Sequence, residues 1–319
     1  MMLTPEVLAI LILNSIFLIF ALVAFVLSLK IFFRWDMEAT TQEQYGLEKQ
    51  SYLGATIIKY IFAIKLPLFL FFVFTLDKIS TLLTGAMCGA GVVDATDYGS
   101  YLLILKLINL YLFGFWLTLH YLDIKNPNLP YTRLKFEFFM VAFLFLVTEI
   151  VLEGIMFASI DIDKMVSCCG TLYSSSATSA IGGIFSIDRV ILLVLFYGNF
   201  SLMAIFYKLR LFYLFAILNL SFILVSLLSL IQFFGTYIYQ LPTHHCPFCF
   251  LQSDYYYVGY LLYGLLFLGT FYGMRVGVVK ILGEDEGRGL RYSLWFNFTY
   301  VVLVSSYVVV YFIENGVWL

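Results

Sequence analysis

The run "THHCPFC", residues 243–249, concentrates two histidines and two cysteines in a chain that holds only 3 His and 5 Cys in 319 residues. Cys246 and Cys249 stand at i and i+3, one helical turn apart, so their sulfurs can close a disulfide or pinch one soft metal ion. Pro247 suits the first position of a helix. That would make Cys246 a cap residue whose thiolate is stabilised by the helix dipole and an adjacent imidazolium. On this reading Cys246 is the nucleophile, Cys249 resolves, and His245 steadies the thiolate. The same pair with His244, His245 and Cys88 forms a ligand set for Cu(I) or Zn(II), to which Met87 adds a thioether. A stable structural disulfide is the third alternative.

The other cysteines extend the redox reading. Cys168 and Cys169 are adjacent, and a bond between neighbours would be strained and easily reduced, so each is expected to relay to a partner elsewhere. Five cysteines cannot all pair within one monomer. The haem attachment pattern is excluded because His245 precedes the pair and no histidine follows Cys249. The Pro-Phe insert resembles the active-site tetrad of glutaredoxins, without the βαβ context of that fold. Cys246 and Cys249 at the mouth of an apolar segment, with more cysteines in other loops, also resemble the arrangement in the vitamin K epoxide reductase and DsbB families. That resemblance implies a dithiol passing electrons between a loop cysteine pair and a quinone, with Cys246 and Cys249 nearest the quinone. Tyr256 and Tyr257 then border the quinone ring or, with Tyr255, form an interfacial aromatic belt.

These residues are positioned by a strongly apolar chain. It is 62% hydrophobic and 12% charged, and its mean hydropathy of +0.96 is that of a polytopic membrane protein. Runs long enough to span a bilayer as helices lie near residues 7–33, 53–76, 100–122, 136–160, 188–207, 211–238, 256–276 and 294–313. A β-barrel would show short alternating strands instead. The first run is too long for a cleaved leader and is expected to remain in the mature chain.

Lysine and arginine set the orientation. Twelve gather in or beside alternate loops, three in or beside the opposite loops (Lys78, Lys164 and Arg189), and three lie deeper inside the runs (Lys59, Lys65 and Lys106). Cation-rich loops stay in the cytoplasm, so both termini and all five cysteines are expected on the extracytoplasmic side. Disulfides also persist there.

Within the runs, Lys65 and Glu149 are placed near mid-membrane, and Lys106 and Glu153 about two turns below the outer surface. Two depth-matched ion pairs result, forming either a helix clamp or a polar ladder that carries protons. His120 reads as the polar tip of its helix. "LGEDEGRGLR" lacks the Lys-Ser/Thr of a phosphate-binding loop, and no basic patch points to nucleic acid.

The sequence thus predicts one all-α integral membrane domain, a polytopic bundle of about eight transmembrane helices with a cysteine-bearing extracytoplasmic cap of loops. It is expected in a bacterial-type plasma (inner) membrane. The functional expectations are a thiol-disulfide oxidoreductase or redox-active accessory protein, for which a quinone is one candidate electron acceptor, a protein that binds or transports Cu or Zn, or a non-catalytic subunit of a membrane complex with structural disulfides. The expected partners are the lipid bilayer and an extracytoplasmic redox or metal-carrying protein.

Overall fold

The computed structural model describes residues 4–36, 39, 41–162, 165–166, 187–284 and 287–319. All regular structure among them is helical. The helices are α1 (Pro5–Arg34), α2 (Gln42–Ser80), α3 (Gly89–Asp94), α4 (Gly99–Lys125), α5 (Thr132–Ser159), α6 (Arg189–Leu209), α7 (Phe212–Ser229), α8 (Gly235–Tyr239), α9 (Val258–Ile281) and α10 (Gly287–Asn315). A π-helical turn, Leu230–Phe234, joins α7 to α8, so Phe212–Tyr239 acts as one long helix. Among the described residues, eight helices are long and apolar enough to cross a membrane, and they coincide with the eight apolar runs.

Local chemistry sets several helix ends. Pro5 opens α1, where its missing N–H is not needed. The Thr41 side chain accepts from the Gln44 N–H to cap α2, and Asp188 accepts from the Val190 N–H at 2.7 Å to cap α6. α2 continues through Pro67, at the cost of one backbone hydrogen bond.

The chain packs as two compact units, Met1–Thr84 with Val92–Met165, and Gly85–Gly91 with Val166–Leu319. The first unit is built from α1, α2, α4 and α5. Its aromatic core stacks Phe62 on Phe113 at 4.2 Å and sets Trp116 edge-on to Phe62 at 5.5 Å. The Trp116 indole N–H donates to the Lys135 carbonyl at 2.8 Å, so the large ring is buried without leaving its polar atom unmatched. His120 stacks on Trp116 at 5.1 Å.

The second unit is built from α6, α7 to α8, α9 and α10. Its helices meet along a polar seam. Asn297 Nδ2 on α10 donates to Asn219 Oδ1 on α7 at 2.9 Å, and Ser293 Oγ donates to the Gly269 carbonyl on α9 at 2.7 Å. This close approach requires glycine: a Cβ on Gly273 would overlap the Asn219 amide, and one on Gly269 would overlap Asn297. Gly273→Ala is therefore expected to destabilise the protein by about 1–3 kcal/mol through overpacking, measured by thermal unfolding in detergent. An unchanged midpoint would mean that the seam is loose.

Polarity runs inside out in both units. Asn14, Lys65, Lys106, Asn109, Glu149 and Glu153 are buried in the first, and Asn219, Ser226, Ser229, Ser293 and Asn297 in the second. Meanwhile Ile19, Phe20, Val23 and Val26 of α1 and Val190, Ile191 and Val194 of α6 face outward.

Candidate functional site

The loop between α8 and α9 carries the cysteine motif. Pro247 does not start a helix there. Two short 3-10 turns form instead, Cys249–Leu251 and Ser253–Tyr255. The cause is Tyr239. In an α-helix the Phe250 N–H would donate to the Cys246 carbonyl. Here the Tyr239 hydroxyl stands between them, donating to the Cys246 carbonyl and accepting from the Phe250 N–H at 3.1 Å. From α9, the Tyr263 hydroxyl donates to the Pro247 carbonyl at 2.7 Å. Gly259 makes room for the loop, since a Cβ at that position would overlap the Phe250 ring.

This clamp aims sulfur inward. Cys246 and Cys249 are 1% and 6% exposed, and Cys88, which arrives on the segment just before α3, is 0% exposed. The three sulfurs all lie within 4.8 Å of one another. Cys88 and Cys246 are 158 positions apart in sequence, yet their sulfurs approach to 3.5 Å in a thiol hydrogen bond. That is well beyond the ~2.05 Å of a disulfide. The Phe248 N–H donates to Cys246 Sγ at 3.4 Å. Gln252 Nε2 donates to the Met87 carbonyl at 3.0 Å and ties the Cys88 segment to the loop.

The histidines stand beside the sulfur group, not within it. His245 Nδ1 meets the Ile231 carbonyl in the π-helical turn at 3.0 Å. A carbonyl only accepts, so Nδ1 carries the hydrogen. His244 sets its ring edge-on to Tyr239 at 4.4 Å, and its Nε2 is buried with no hydrogen-bond partner among the described residues. Burial pulls the His244 pKa below its ordinary value, partly opposed by the nearby Cys88.

Tyr256 and Tyr257 project outward, 92% and 55% exposed. Tyr255 is the member of the triplet that packs inward, edge-on to Tyr239 at 4.8 Å. Cys168 and Cys169 lie outside the described residues.

In the first unit, Lys65, Lys106, Glu149 and Glu153, the charges matched in depth along the apolar runs, join one network. Glu149 Oε1 accepts from Lys65 at 3.0 Å and from Lys106 at 2.9 Å, while its Oε2 accepts from Asn109. Lys106 also reaches Glu153 Oε2 at 3.0 Å. Asn14 closes the ring, accepting from Lys65 and donating to Glu153, both at 2.7 Å. Two lysines and two glutamates balance in charge, which buried ions require.

The largest contribution that sequence reasoning missed is Tyr239. Tyr239→Phe would leave the buried Cys246 carbonyl and Phe250 N–H unmatched, costing about 1–3 kcal/mol. The loss is measured by thermal unfolding in detergent. An unchanged midpoint would show that the loop holds its shape without this hydroxyl. No protein-family model, curated protein or solved structure matches the chain, so the chemistry of this site is what speaks for its function.

Proposed function

We propose that the protein is a multi-pass plasma-membrane protein that binds one soft metal ion, Cu(I) or Zn(II), on its extracytoplasmic side through Cys88, Cys246 and Cys249. The outward apolar faces and buried charges support membrane insertion, because lipid-facing surfaces exclude charge and bundle interiors tolerate it only when paired. The loop distribution of lysine and arginine supports an extracytoplasmic cysteine cap.

The observation that carries the metal reading is the convergence of three buried sulfurs. Three thiolates around a tetrahedral zinc would stand about 3.8 Å apart with Zn–S bonds near 2.3 Å. Cys88 and Cys246 are already at 3.5 Å, and all three lie within 4.8 Å. Little movement separates the thiols from a ligand set. Binding would release the thiol protons to solvent, which makes affinity rise with pH.

The quinone-linked thiol-disulfide reading draws on the same Cys88–Cys246 approach. It fits less well: exchange needs an accessible sulfur, whereas the most exposed of these is at 6%. Purification under anaerobic conditions, metal analysis and thiol trapping distinguish the two. The metal reading expects about one Zn or Cu per chain and thiols protected from alkylation until a chelator is added. A metal-poor protein whose thiols oxidise reversibly with a quinone would overturn it.

A further inference from the structure

The structure assigns a fourth donor to this site: we infer that His244 Nε2 completes a three-sulfur, one-nitrogen shell that takes a tetrahedral zinc-type divalent ion in preference to Cu(I). The inference rests on the proposed metal function and names the metal within it. Three thiolates alone satisfy a trigonal Cu(I), whereas closed zinc sites have four ligands, Cys and His in combination. The identity of the ion therefore depends on whether a fourth donor stands ready.

Two histidines flank the sulfurs, and the structure separates their roles. His245 has its ring fixed by Nδ1 donating to the Ile231 carbonyl that the π-helical turn presents, and neither of its nitrogens joins the sulfur group. His244 Nε2 is buried yet has no hydrogen-bond partner among the described residues. A buried ring nitrogen without a partner is costly, and it calls for an explanation such as a ligand. Cys88 lies within electrostatic reach of the same ring.

The backbone favours the approach. The His244 N–H donates to the Leu241 carbonyl at 3.3 Å, and this turn folds the residue back beside the cysteine loop. His244 Nε2 stands outside the 4.8 Å sulfur group. Binding requires Nε2 to move in towards the sulfurs, and the edge contact with Tyr239 is the contact that such a movement changes. Binding then exchanges three thiol protons for three Zn–S bonds, and the neutral imidazole gives its lone pair with no proton lost.

X-ray absorption on the full-length, zinc-loaded protein in detergent tests this without any variant. Three sulfurs at about 2.3 Å and one nitrogen at about 2.0–2.1 Å, with imidazole outer-shell scattering, are expected. His244→Ala is expected to remove the imidazole signal and weaken zinc binding at least tenfold while leaving Cu(I) affinity within about twofold; His245→Ala is expected to retain the signal. A shell without imidazole in the wild type, or a signal lost in His245→Ala instead, overturns the inference and leaves the sulfur site standing. A wild-type protein that retains no metal overturns the proposed function, and this inference with it.

Discussion

Cys246→Ser is expected to abolish metal retention, with bound metal falling from about one per chain to under about a tenth, and affinity falling by more than the ~100-fold that outer-shell changes cost. Serine keeps the size of the side chain but offers a hard hydroxyl that stays protonated at neutral pH, so the soft ion loses a charged ligand. Cys246 is the member whose loss should matter most. Its sulfur contacts Cys88 at 3.5 Å and accepts the Phe248 N–H at 3.4 Å, so it joins both cysteine segments. Metal that binds only the folded chain stabilises it by about 2.7 kcal/mol at a hundredfold excess over Kd; this thermal shift should vanish in the variant. Tyr256→Ala, at a position 92% exposed, should leave metal content unchanged. If Cys246→Ser retained metal while Tyr256→Ala lost quinone reactivity, the electron-transfer reading would replace the metal one.

The eight long helices were legible because uninterrupted apolar runs leave the backbone little choice in hydrocarbon. The residue types of the site were legible too: Cys88, Cys246, Cys249 and the two histidines stand out by scarcity. What sequence could not supply was contact across 158 positions between Cys88 and Cys246, because loop closure over that distance leaves no periodic trace. The helix expected at Pro247 failed for a related reason. Local propensity saw a proline at a favourable first position, and the tertiary hydroxyl of Tyr239 took the two backbone groups that such a helix needed. Tyr239 itself gave no signal among 24 tyrosines. Asn14 and Asn109 were readable in principle, since an amide inside an apolar run is costly without a partner. The two lysines and two glutamates drew attention first, and the amides that complete their network did not.

That network gives the second large effect. Glu149→Gln is expected to destabilise the protein by about 3–5 kcal/mol, the usual consequence of leaving a buried charge uncompensated. Glu149 takes both ammonium groups on one oxygen, Lys65 at 3.0 Å and Lys106 at 2.9 Å, with its side chain 4% exposed. Removing its charge leaves two buried lysines facing only Glu153, which contacts Lys106 alone of the two. The neutral amide would also present an N–H to Asn109, now a donor facing a donor. Removing Lys65 as well restores the charge balance. The double variant Lys65→Met with Glu149→Gln should therefore recover much of the loss, because replacing a buried pair costs far less than breaking one. Glu153→Gln should fall between, since its carboxylate holds one lysine and one asparagine on a single oxygen. Reversible unfolding in mixed micelles measures all three together with Lys65→Met alone, which completes the cycle. Coupling between Lys65 and Glu149 of at least about 1 kcal/mol in that cycle is the mark of a true charge clamp. Strictly additive losses would mean that the four helices are held by their aromatic packing, and that the charges are kept in the bundle for another purpose.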